Sequence, residues 1–263
     1  DSADFVLRVR NAVTTKQLYD RVSSQFRQLQ ELEAARDTLT HMIVHDLRSP
    51  LTGLQGYLDL LRMAVAAGAH DEVLEYARDA HATAGQLKDM VSQVLDVSRL
   101  ESGQMPVSAA ATDLIQLLPA AVASLGPPPP TVQVVYQLPR HPVVISCDQD
   151  LVSRVLVNLV GNAFKFTPRN SEVSIGLEAH DGKARITVTD GGTGVAPEHR
   201  ELIFEKFSQT SIGRSAAVRS TGLGLTFCKL AVEAHGGSIG VENANHGGAC
   251  FWVELPGGVA RQA

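Results

Sequence analysis

Five leucines, Leu47, Leu51, Leu54, Leu58 and Leu61, recur at a 4-3-4-3 spacing. That spacing lays one apolar seam along a helix. Into its start falls His45-Asp46-Leu47-Arg48-Ser49-Pro50, an imidazole beside a carboxylate. At about 100° per residue, His45 lies about 200° behind Leu47 and points away from the seam. A histidine that structures a core would sit on the seam. This one faces water, or something that docks from water. An inert surface histidine is the plain reading of one such residue, and the rest of the sequence has to decide.

The helical pattern begins much earlier. Residues 5 to 40 contain neither Pro nor Gly and are rich in Gln, Arg, Glu and Leu. Leu18, Val22, Leu29, Leu32, Leu39 and Ile43 fall on core positions of one heptad frame, with Gln25 and Arg36 as polar interruptions. This pattern reads as a parallel two-stranded coiled coil; a solvated amphipathic helix inside one domain is the competing reading. The helix runs on through His45, with a bend expected at Pro50. Ala66-Ala67-Gly68-Ala69 breaks the pattern. A second helix is expected from about Asp71 to Glu101, with Leu87, Val91, Val94 and Leu95 at helical spacing. A single αα-hairpin cannot bury two apolar stripes well; two copies forming a four-helix bundle can.

Beyond Ser102-Gly103-Gln104-Met105-Pro106, a linker, the composition changes. A short helix is expected over 112–124 and strands over 131–138 and 142–147, with a stiff proline loop at 127–130. A strong helix pattern spans Asp150 to Phe166. Strands at 171–177 and 184–189 are joined by a turn at Asp181-Gly182. A helix at 226–234 and strands at 238–242 and 249–255 close the chain. Mixed strands and helices with hairpin-length turns predict an α+β sandwich.

Three polar clusters stand out in this half. Asn158, Asn162 and Lys165 share one helix face, where carboxamide oxygens suit Mg²⁺ and an ammonium suits phosphate. Asp190-Gly191-Gly192-Thr193-Gly194 follows a strand directly. Its glycines admit close backbone approach, and its carboxylate can accept from an exocyclic amine such as adenine's. Thr221-Gly222-Leu223-Gly224-Leu225 opens a helix whose N–H groups can cradle phosphate. Each is weak alone; the three in this order are hard to explain by chance.

Together with His45 to Leu51 and Ile203-Phe204-Glu205-Lys206-Phe207, these clusters resemble the H, N, G1, F and G2 boxes of the sensor histidine kinases of two-component signalling. The resemblance runs from about residue 37 to 256. It implies a signalling helix over 1–37, a dimerisation and histidine phosphotransfer domain over 38–105, and an ATP-binding domain of the GHKL (Bergerat) type over 106–258. It implies that His45 accepts the γ-phosphoryl group of ATP, with Asp46 and Ser49 beside it. Asn162 would hold Mg²⁺ and Asp190 would read adenine, against Phe166 as an apolar wall. Asn158, Lys165, Gly192, Gly194, Lys206, Thr221, Gly222, Leu223 and Gly224 would complete the nucleotide site, under a mobile lid formed by residues 195 to 221. The implied partners are a second copy of the chain and the receiver domain of a response regulator, whose aspartate takes the phosphoryl group. His41, one turn before His45, is a rival acceptor, but only His45 is followed by Asp-x-Arg-x-Pro.

Two residues depart from the family pattern. Ser220 stands where the G2 box usually begins with Gly. Ser49 stands where Thr or Asn is common, at a position that helps water attack the phospho-partner; its hydroxyl leaves phosphatase activity open. Two other readings stay in view: an ATPase of the gyrase or chaperone kind, which carries Glu where Asn158 stands, and a nucleotide-binding scaffold without turnover. A net charge of -5 and a pI near 6.0 give no reason to expect nucleic acid as a partner. Three cysteines without a CxxC fit a reducing cytosol and no zinc site. No apolar run approaches the roughly 20 residues that cross a bilayer, so a cytoplasmic placement is expected. The chain opens at Asp1 without Met and reads as part of a longer sensor or hybrid; residues 5 to 22 faintly resemble the last helix of a receiver domain. The seams make dimerisation the first testable consequence. Sedimentation at micromolar concentration should give twice the 28.1 kDa chain mass, and a monomer there contradicts the bundle.

Overall fold

The structure is a computed structural model. It describes the backbone of residues 2–180, 182–206, 222–244 and 247–257, and, in the first helix, the side chains of residues 14, 16–27, 30 and from 43 onward. The chain divides into two compact units, residues 1–84 and 85–263.

The first unit is helical. Helix α1 spans Ser2–Ala67 and continues without a break through Pro50. It stops where the sequence pattern breaks. Gly68 takes a left-handed φ of 73°, its N–H donates to the Val65 carbonyl at 3.2 Å, and the Ala69 N–H donates to Ala64 at 3.0 Å. This paired reverse bonding closes a helix C-terminus on a glycine. Helix α2 spans His70–Glu101, with Asp71 and Glu72 in its first turn where they complement the helix dipole. It ends the same way, on Gly103 with φ 64°. Among the described residues up to 84 only Ala64 and Ala80 are fully buried. Leu51, Leu58 and Leu74 are exposed, as are the heptad positions Leu18 and Val22. An apolar seam left this open in one chain calls for a partner surface. The heptad side chains of Leu29, Leu32, Arg36 and Leu39, and that of His41, lie outside the described residues.

The second unit carries its own core. After the end of α2 come β1 (Ala110–Asp113), α3 (Leu114–Ala123), β2 (Val132–Gln137), β3 (Val144–Cys147) and α4 (Gln149–Phe166). Then follow β4 (Ser171–His180), β5 (Lys183–Thr189), two 3₁₀ turns (Pro197–His199 and Leu202–Phe204), α5 (Gly224–Ala234), β6 (Ser238–Asn243) and β7 (Ala249–Pro256). Five strands form one sheet in the order β2-β4-β5-β7-β6, parallel between β2 and β4 and antiparallel elsewhere. Strands β1 and β3 pair separately. Strand β1 corrects the expected helix over 112–124. Thr112 and Asp113 are extended, and Asp113 is the N-cap whose carboxylate accepts from the Ile115 N–H at 3.0 Å. On the helix-covered face lie Val173, Ile175, Ile186, Val188, Phe251 and Val253, all buried. The other face is polar: Arg185 bonds Glu254 at 3.1 Å and stacks over Trp252 at 4.9 Å. This one-sided burial is the α+β sandwich expected from the alternating strands.

The last turns of α2 belong to this core. Val97 is buried in it. Asp96 forms an ion pair with Arg154 of α4, whose guanidinium lies 4.4 Å above the Phe227 ring of α5. The Lys206 ammonium is 2.7 Å from Glu101. One side chain, Phe227, thus backs both the ion pair and the α4–α5 packing while fully buried. Its truncation to Ala should cost about 3–5 kcal/mol, read as a lower denaturation midpoint of the whole chain; a loss under 1 kcal/mol, roughly the scale of a neutral surface change, would contradict that role.

Candidate functional site

Helix α4 is set by its N-cap. Asp148 accepts from the N–H groups of Asp150 and Leu151, both at 3.1 Å. Its buried stripe includes Leu151, Val155, Leu159 and Ala163, which leaves Asn158, Asn162 and Lys165 on a neighbouring face. The Asn158 Nδ2 donates to the Arg154 carbonyl at 3.0 Å, so its Oδ1 turns toward the start of α5. A Cβ on Gly224 would lie 3.0 Å from that oxygen. The Asn162 carboxamide makes no hydrogen bond with a described residue. Lys165 is held below the ordinary lysine value by partial burial of its ammonium.

The Asp190 loop is tied to β7 and to the end of α4. Asp190 is 6% exposed. Its Oδ1 accepts from Gly192 N–H at 2.8 Å and from Ala249 N–H at 3.0 Å. Its own N–H donates to the Ala249 carbonyl at 2.9 Å, extending the β5–β7 ladder by one rung. Its second oxygen makes no hydrogen bond with a described residue. A Cβ on Gly192 would lie 2.9 Å from both Asp190 Oδ1 and the Phe166 carbonyl. Phe166, Asp190, Gly192 and Gly194 therefore come together at the end of the central strand β5.

At the start of α5 the N-cap residue is Leu223, whose own side chain makes no capping hydrogen bond. Gly222 takes a left-handed φ of 66°, and Leu223 is buried. Thr221, Ser220, Phe207 and residues 207–221 of the expected lid lie outside the described residues. Phe204 is buried edge-on to Phe251, with ring centroids 6.4 Å apart, so this aromatic serves the core. Lys206 is engaged by Glu101. In the first unit His45 is 78% exposed, as its place off the leucine seam implies. Its Nδ1 lies 3.3 Å from Asp46 Oδ1, and Ser49 sits one turn further along the helix.

A helical hairpin bearing an outward histidine, joined to a sandwich with a buried acceptor carboxylate and a face of carboxamides, defines a nucleotide-binding protein with a phosphoacceptor helix. Comparison with known proteins agrees in both parts. The family of histidine kinase-, DNA gyrase B- and HSP90-like ATPases matches residues 147–258, and the histidine kinase A phospho-acceptor domain matches residues 35–103. The chain belongs to the sensor histidine kinases of two-component systems. It is 31% identical over 227 residues to histidine protein kinase DivJ of Caulobacter vibrioides, covering 86% of this chain and 38% of that one. It is 32% identical over 255 residues to sensor protein KdpD of Escherichia coli, covering 96% and 28%. The crystal structure of full-length ShkA in complex with AMPPNP aligns at a TM-score of 0.63 with 28% identity, covering 85% and 46%. The chain thus spans less than half the length of these relatives. Among the described residues, no helix is long and apolar enough to cross a membrane.

Sequence reasoning did not find Arg154, Asn243, Gly248 or Ala249, which hold the site residues from distant elements. The Gly247-Gly248 pair marked a turn and gave no sign of what lies against it. Gly248 has φ 88°, and a Cβ there would fall 1.9 Å from the Asp190 carbonyl oxygen. Gly247 has φ 92° and open space around it. Gly247→Ala should therefore cost only the left-handed strain of about 1–2 kcal/mol. Gly248→Ala should cost more and weaken nucleotide binding, by titration calorimetry. Equal effects of the two would show that contact with Asp190 is immaterial.

Proposed function

We propose that this chain is an ATP-dependent protein histidine kinase, acting as a homodimer, that phosphorylates His45 and passes the phosphoryl group to an aspartate of a response regulator. The observation that carries the reading is the pairing of His45 Nδ1 with Asp46 Oδ1 on an exposed helix face. With its proton on Nδ1, facing the carboxylate, the ring offers the Nε2 lone pair outward. The family membership and the separate sandwich with Asp190 supply the other half.

Nε2 attacks the γ-phosphorus, a P–N bond forms, and the bond from that phosphorus to the β–γ bridging oxygen breaks to release ADP. Asp46 takes or stabilises the Nδ1 proton as positive charge develops on the ring. In the second transfer a carboxylate oxygen of the regulator forms the new P–O bond as the P–N bond breaks. Asp190 accepts from the adenine amine through the oxygen that no described residue uses, and Phe166 supplies an apolar wall. Lys165 offsets charge on the phosphates. Partial burial lowers its ammonium pKa, and a phosphate beside it would favour the charged form again.

Mg²⁺ fits the donor set. It favours oxygen ligands shared with phosphates and water over a dedicated protein cage, and Asn158 and Asn162 present neutral carboxamide oxygens. Among the described residues no group of three His, Cys, Asp or Glu side chains converges on a metal site. When bound, the ion would offset charge on the triphosphate. The hydrolase reading is disfavoured at the same place: the Asn158 carboxamide, donating to a backbone carbonyl, cannot serve as general base for water. Domain limits of 38–105 and 106–258 go with this reading, as do Gly222, Leu223 and Gly224 in the phosphate-facing part of the site; Lys206 would have to exchange Glu101 for a phosphate oxygen to join them.

Incubation with γ-labelled ATP and Mg²⁺ decides among the readings. The kinase gives acid-labile label on the chain that His45→Gln abolishes. Free phosphate without labelled protein would mean an ATPase. Neither product would mean a scaffold.

A further inference from the structure

The backbone that leaves Asp190 is held by a side chain from another strand of the sheet. Strand β6 is an edge strand, two places from β5, and Asn243 is its last residue. Asn243 Oδ1 accepts from the Val195 N–H at 2.8 Å. The same oxygen lies 2.7 Å from where a Cβ on Gly194 would stand, and Gly194 has a left-handed φ of 75°. In the ladder Asn243 is opposite Ala249, the residue whose N–H and carbonyl both bond Asp190. One rung of the sheet thus carries two clamps. Ala249 fixes the carboxylate, and Asn243 fixes the chain four and five residues after it. Without Asn243 the turn through Gly194 would have its glycine freedom and no tether at Val195.

We propose that Asn243 is a positioning residue for the nucleotide: it sets the path of residues 191–195, and through it the orientation of Asp190 toward the base. The inference rests on the ATP-binding reading above. Asn243 acts on substrate capture and leaves the transfer to His45 untouched, because the contact its carboxamide makes among the described residues is with the loop backbone.

Steady-state autophosphorylation and ATP binding by the full-length chain test it. Asn243→Ala and Asn243→Leu remove the acceptor; loss of one such bond should raise the KM and Kd for ATP about three- to tenfold, with kcat within about twofold. Asn243→Asp keeps a carboxylate oxygen in reach of Val195 N–H and should restore most of the affinity. The Val195 amide should exchange with solvent faster in Asn243→Ala and Asn243→Leu alone. Should Asn243→Ala lose thermal stability, Asn243→Leu, which keeps bulk against Gly194, carries the comparison. ATP affinity unchanged in both acceptor-free variants, or a loss of kcat at constant KM, overturns the proposal. Failure of Asn243→Asp to recover affinity does so too. A wild-type chain that binds no ATP would instead sink the functional reading itself.

Discussion

A carboxylate taken out of water is tolerable only when its oxygens are hydrogen-bonded, and the nucleotide-binding unit is arranged around one such group. Asp190 is nearly buried, and one of its oxygens is consumed by two backbone N–H groups, from Gly192 and Ala249. That requirement fixes the register of β7 against β5. It demands glycine at 248, where any Cβ would enter the Asp190 carbonyl, and at 192, where the loop lies against the last turn of α4. The second oxygen bonds no described residue, and in the proposed reading it accepts from the base. A base that binds there, as proposed, would meet an acceptor already fixed and would need little reorganisation.

The two units are stable for different reasons. The sandwich closes its own core between three helices and one face of a five-stranded sheet, and it takes the last turns of α2 into that core through Val97 and the Asp96–Arg154 pair. The hairpin ahead of it leaves leucines uncovered. Burial at roughly 25 cal/mol per Å² of apolar surface favours covering such a seam, and a second identical hairpin supplies a matching one. Chemistry follows the same division. In the proposed function the sandwich holds Asp190 and Lys165 for the nucleotide, and the hairpin with the uncovered seam presents His45.

The features read most easily in the sequence are those that repeat locally. The leucine seam placed His45 outward, and the i, i+4, i+7 spacing put Asn158, Asn162 and Lys165 on one face of α4. Asp-Gly-Gly after an alternating run marked an acceptor carboxylate at a strand end, though not its burial, and Gly68 marked the end of α1. Strand β1 was not legible, because Ala110-Ala111-Thr112-Asp113 has no strand pattern of its own and is extended only by pairing with β3. The parallel pairing of β2 with β4 was hidden for the same reason: it depends on partners 39 residues apart in the chain. Asn243, Arg154 and Glu101 act through contacts between residues 48, 58 and 105 positions apart. No local periodicity encodes such contacts, and the residue types involved are ordinary on any surface.

The central claim is that one imidazole, on an exposed helix face and paired through Nδ1 to Asp46, receives phosphorus from nucleotide. Peptide mass spectrometry, run under alkaline conditions that preserve phosphoramidates after incubation with MgATP, tests it most directly. The account predicts a single phosphoryl group on the peptide containing His45, located on that residue and absent from His41. Phosphate on His41, on a hydroxyl, or on no residue at all would contradict it.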